Sequence, residues 1–173
     1  MTSRRLMLAT SAAIFAFALC GPATWAESSD QERAELAKAM EKAKLTLEDG
    51  LKASEREGKP ISAKFELEHG KLQFSAYTMK NGDFMEVVAS PETGQIEEAE
   101  RITDEEDLEA AKSQAAAMAN AKTSLLAAAE KAEKANNGFR AVSIVPSLKD
   151  GHPMVEVTLL KGGAFKTVSE KLD

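Results

Sequence analysis

Cysteine is almost missing from this chain. The one present, Cys20, sits inside an apolar run near the start, so disulfides hold nothing together and thiol chemistry is excluded from the rest. Aromatics are scarce at 5%, with one tryptophan and one tyrosine. Alanine fills many apolar positions instead, which predicts a thin core with close helix–sheet contact. Histidine occurs only as His69 and His152. Neither stands in a metal-ligand spacing, and both flank glycines of turns, where an exposed histidine needs no partner. No Gly-x-Ser-x-Gly frames a serine. Gly162-Gly163 lies between expected strands and not before a helix, so it is no phosphate cradle. The acidic stretch from Glu97 to Asp107 lacks the oxygen-ligand loop of an EF-hand and reads as a solvated linker leading into a helix N-terminus. These absences predict a non-catalytic chain without cofactor or metal.

Long apolar runs are missing too. Leu6–Leu19 falls short of the ~20 residues that span a bilayer. With Arg4 and Arg5 before it and Thr24-Trp25-Ala26 after it, residues 1–26 read as a signal peptide cut before Glu27. That predicts a periplasmic or secreted protein with no membrane segment after cleavage. With 22 basic and 28 acidic residues the net charge is −6, and losing Arg4 and Arg5 makes it more negative. Such a surface opposes nucleic acid and anionic membranes. It suits a protein or cationic partner.

What is present occurs twice. Ala39-Met40-Glu41-Lys42-Ala43-Lys44-Leu45-Thr46-Leu47 returns 78 positions later as Ala117-Met118-Ala119-Asn120-Ala121-Lys122-Thr123-Ser124-Leu125. Its apolar residues recur at helical spacing. Capping boxes at Ser29–Glu32 and Thr103–Glu106 open two amphipathic helices. The first carries Leu36, Met40, Ala43, Leu47 and Leu51 on its apolar face and Glu48 on its polar one. Gly50 marks a weak point, a kink or a close approach to a sheet.

After each helix comes an alternating run. Ile61, Ala63, Phe65 and Leu67 predict one strand; Leu72, Phe74 and Ala76 a second; Phe84 to Ala89 a third, with an extended tail at Ile96. Val142 to Leu148 predicts a fourth strand, at an edge because of Pro146. Met154–Leu160 and Phe165–Val168 complete the set. Lys80-Asn81-Gly82-Asp83-Phe84 matches Lys161-Gly162-Gly163-Ala164-Phe165 at a shift of 81, so three inserted residues belong between helix and strand. The reading is α+β: two helix–strand–strand–strand units, 27–102 and 103–173, each an antiparallel meander packed against one helix. Each is too small to be stable alone, so the halves should pack together, helix on sheet or edge strand on edge strand.

A signal peptide, a helix and strands closing on Ala89-Ser90-Pro91-Glu92-Thr93-Gly94-Gln95-Ile96 resemble the PepSY domain family, although Val88 replaces an acidic residue and the second copy ends without Thr-Gly. The resemblance implies a small extracytoplasmic module that inhibits or modulates proteases and has no catalytic residues. Two expectations follow. One is an exported module that binds another extracytoplasmic protein, with Tyr77 and Met79 as partner-binding surface if nothing covers their strand face. The other is a periplasmic sensor or carrier holding a small ligand between the two units. An enzyme is the least supported.

Overall fold

The computed structural model describes residues 30–173. The expected signal segment and Ser29 of the first capping box lie outside them. In chain order the elements are α1 (Asp30–Met40), α2 (Leu47–Ser54), β1 (Lys59–Glu68), β2 (Lys71–Lys80), β3 (Asp83–Ala89), β4 (Ile96–Arg101), α3 (Glu105–Ala119), α4 (Leu125–Ala135), β5 (Arg140–Lys149), β6 (His152–Lys161) and β7 (Ala164–Lys171). The fold is α+β. Its strands form one antiparallel sheet in the order β4-β3-β2-β1-β5-β6-β7.

Four two-residue turns set the register. His69-Gly70, Asn81-Gly82, Asp150-Gly151 and Gly162-Gly163 each have both residues at positive φ, the mirror-image turn whose twist matches the flanking strands. The two meanders correspond position by position at a shift of 81. β1 pairs with β2 through Lys59↔Met79, with an irregularity between Pro60 and Ser62. β5 pairs with β6 through Arg140↔Leu160, with the same irregularity between Ala141 and Ser143.

The halves join edge to edge, β1 against β5, at Ala63↔Ile144 and Lys64↔Ser143. Pro146 therefore sits in an interior strand and not at the expected edge. The seam stops two residues before it, so the missing proline N–H breaks no pairing with β1.

One face of the sheet carries Ile61, Ala63, Phe65, Phe74, Ala76, Ile144, Val155, Val157 and Leu159, all buried. On it α2 packs over β1 and β2, α4 over β5 and β6, and the two helices touch each other. Gly50 of α2 is the close approach: a Cβ there would lie 2.5 Å from the Phe74 ring. The opposite face is covered at its centre by α3, which packs on β5, β1 and β6. Ser62, Ser75 and Ser143 are buried there, small residues that let an alanine-rich helix approach closely. The centre thus has three layers. A single hydrophobic cluster runs through both halves.

Several further expectations change. Each long helix is divided, because the repeated motif is a break and not a helix interior. Thr46 Oγ1 accepts from the Asp49 N–H at 3.1 Å, and Ser124 Oγ accepts from the Ala127 N–H at 3.2 Å. Each starts a new helix. The tail at Ile96 is a fourth strand, paired with β3. The second capping residue is Asp104 and not Thr103: its carboxylate accepts from the N–H groups of Glu106 and Asp107. The three extra residues lie not in the connection between helix and strand but inside the helix, as an added turn of α4 relative to α2.

Candidate functional site

The repeated motif forms a loop that bridges two helices, and the loop is pinned to the end of a strand. Lys44 and Leu45 both donate their N–H to the Pro91 carbonyl at 2.9 Å, just past β3. Gly94, at φ 72°, lets the closing turn fold back so that its N–H reaches the Ser90 carbonyl. In the second half Lys122 and Thr123 donate to the Leu172 carbonyl at 2.7 and 2.9 Å. Pro91 and Leu172 are themselves 81 positions apart.

In the first half one side chain collects carbonyl oxygens of the loop. Arg140, the first residue of β5, donates through Nη1 to Met40 O at 3.3 Å and Ala43 O at 3.4 Å. Through Nη2 it donates to Leu45 O at 2.9 Å. Its guanidinium also lies 5.9 Å from the Phe65 ring centroid. Burial lowers its pKa, while the carboxylates of Glu133 and Glu48 favour the charge. The guanidinium remains a cation. Glu133 also accepts from the Ala141 N–H at 2.6 Å. Glu48 is buried, with Oε1 lacking a hydrogen-bond partner. Burial pushes its carboxyl up, and the Glu133 charge adds to the shift. The arrangement is a charged clamp joining the second half to the first loop; it contains no nucleophile–base pair.

Tyr77 and Met79 do not form an open patch. Tyr77 alternates with Phe74 and Ala76, so it points from the opposite face, and the first turn of α3 lies over it. Its hydroxyl donates to Asp107 Oδ1 at 2.8 Å. Burial, then the Asp107 carboxylate, raise its pKa far above the ordinary phenol range. Next to it Glu86 is pushed up by burial and the Glu66 charge, partly offset by Lys64. Met79 is half-buried and packs against the core. His69 lies 3.2 Å from Glu68 and His152 3.5 Å from Asp173, the first in the β1–β2 turn and the second at the start of β6, at opposite ends of the sheet. Among the described residues no group of three or more His, Cys, Asp or Glu is arranged to hold a metal ion.

No family model, curated protein or solved structure matches the chain. Function must therefore be argued from its own surfaces, of which two kinds stand out. The sheet has two outer edges. β4 is six residues long and carries Glu97, Glu98 and Glu100. β7 is eight residues long, with Glu170 drawn onto α4 by Lys131 at 2.8 Å and Lys166 held by Asn136. There are also two clefts. One, of about 580 Å³, lies between α1 and the β1–β2 turn, lined by Lys38, Leu67, Leu72 and Pro91. The other, of about 290 Å³, spans the halves between Leu51, Glu55, Lys59 and Pro60 on one side and Met118 to Leu126 on the other.

Sequence reasoning missed Arg140, Glu48 and Glu133. The signal for Glu48 was available: Thr46-Leu47-Glu48-Asp49 has the spacing of a helix start. A restarted helix resets its own phase and turns Glu48 inward.

Proposed function

We propose that the chain is an exported, non-catalytic PepSY-like module that binds and modulates another extracytoplasmic protein, in the most specific form of the reading a protease. The supporting observation is the β7 edge. Among the described residues β7 pairs only with β6, and its outer backbone groups are a template for one more strand. The other edge differs. β4 presents a row of glutamates, and like charges oppose a second acidic strand. On β7 Glu170 is ion-paired with Lys131 of α4 and Lys166 donates to the neutral amide oxygen of Asn136, so the strand carries no row of like charges to oppose an extended peptide. A protease modulator that works by presenting or accepting a strand needs such an edge.

The test is site-specific photo-crosslinking in cells that export the chain, with the crosslinker at Thr167 in β7 or at Glu98 in β4. One discrete protein adduct from Thr167 and none from Glu98 is expected. Adducts equal at both positions, or none at Thr167, contradict the reading.

A further inference from the structure

The two inter-helix loops are the same device, yet only one is filled. Shifting the first by its repeat maps the carbonyls of Met40, Ala43 and Leu45 onto those of Met118, Ala121 and Thr123. The strand position of Arg140 falls on Lys59. Ala141 maps to Pro60 and Glu48 to Leu126, while Glu133, counted back from the matching helix ends Asn136 and Glu55, maps to Lys52. Met118, Ala121, Thr123, Lys59, Pro60 and Leu126 all line the cleft of about 290 Å³ between the halves, and the carboxylate that joins them there is Glu55.

Each replacement empties the second site in its own way. Lys59 is exposed, and among the described residues no side chain donates to the Met118, Ala121 or Thr123 carbonyls, whereas Arg140 bonds all three in the first loop. A lysine is a point charge on a flexible stem; it lacks the planar fork that spans three acceptors. The first loop also closes on itself through Ala43 N–H to Met40 O at 3.2 Å. The second makes no such bond, so Met118 O is freer. Pro60 has no N–H to hold a carboxylate as Ala141 holds Glu133, and Glu55, which lines the cleft, is exposed.

We infer that this cleft binds a guanidinium group from outside the chain. The ligand class is read from Arg140 itself, which shows what the loop accepts when it is filled. The planar cation would donate to the three carbonyls, with the Glu55 carboxylate beside it as a charged acceptor. Lys122 does not forbid this, because its counterpart Lys44 sits in the occupied loop. Leu126 stands where the first site has Glu48, so binding is weaker than the intramolecular clamp. The site lies on the seam, away from the β7 edge, and its success or failure is independent of strand addition there.

The experiment titrates agmatine, then a terminally blocked Gly-Arg-Gly peptide, then blocked Gly-Lys-Gly, into ¹⁵N-labelled chain. Saturable shifts are expected at the amides of 118–126, and none at 40–48, for both guanidino probes. Gly-Lys-Gly should bind at least tenfold more weakly. Lys59→Arg should fill the cleft from within and abolish the shifts, and Leu126→Glu should tighten agmatine about tenfold. Binding of agmatine alone assigns a free guanidino compound; equal or tighter binding of the arginine peptide assigns an arginine side chain of a polypeptide. No saturable shift at 118–126, equal binding of the lysine peptide, or unchanged binding in Lys59→Arg overturns the inference.

Discussion

The first inter-helix loop and the second start from the same residues and end in different states. Both are capped by a hydroxyl, both donate two N–H groups to one carbonyl beyond a strand, and both bury a methionine, Met40 or Met118. Only the first receives an arginine from the other half. A repeat conserves backbone acceptors automatically, because every copy of a loop has carbonyls in the same places. What fills them depends on single side chains supplied across the seam. Local geometry is therefore duplicated here while the electrostatics are not.

The comparison extends to the core. Gly50 sits over Phe74 in the first half, and the corresponding positions in the second hold Ala128 and Val155, both buried. A smaller helix residue goes with a larger strand residue, keeping the local volume nearly constant.

Breaking the clamp should have the largest effect. Arg140→Met leaves three loop carbonyls and two carboxylates without their cation. We expect a loss of about 2–3 kcal/mol, read from the urea midpoint, against a change within about 0.5 kcal/mol for Lys59→Met. Gly50→Ala forces a methyl into the Phe74 ring and should cost about 1–3 kcal/mol. Adding Phe74→Val should recover at least half of it, since the second half already uses that pairing. Thr46→Ala and Ser124→Ala should each cost about 1 kcal/mol; near-equal losses would show that the two breaks are equivalent.

The smallest effect is on pH dependence. Burial raises the carboxyl pKa of Glu48 and Glu86, so the folded chain holds protons that the unfolded chain releases. Stability from this source is fully present below the ordinary glutamate value, about 4.3, and is lost as pH rises through the raised values. Glu48→Gln should flatten the fall in urea midpoint over that range. Leu126, its counterpart, contributes no such slope.

Much of the fold was legible because strands and hairpins announce themselves locally. Ile61, Ala63 and Phe65 alternate, and Asn81-Gly82 and Asp150-Gly151 are turn residues whatever surrounds them. The helix breaks were hidden because Met40, Ala43 and Leu47 keep helical spacing across a gap of non-helical residues, so periodicity alone does not reveal it. The Thr46 cap marks the break only once the structure shows its Oγ1 accepting from the Asp49 N–H. The seam was half legible: two small units needed a partner, but only the exposed edges of β1 and β5 decided which surfaces met. Pro146 misled because its cost depends on how far pairing with the neighbour runs, which is a tertiary fact. Tyr77 misled for a related reason, since α3 comes from the other half to cover it. Arg140 was invisible for the deepest reason. It acts on carbonyl oxygens 95 to 100 residues away, and backbone acceptors carry no sequence signature.

The central claim is that one loop is filled by a guanidinium and its twin is not. The most direct measurement is a pair of urea unfolding curves, one for Arg140→Lys and one for Lys59→Arg; urea is required because guanidinium would itself compete for the loop. The account predicts opposite signs: a loss for Arg140→Lys and a gain for Lys59→Arg, each of about 1 kcal/mol or more. Shifts of the same sign, or no shift in either, would contradict it.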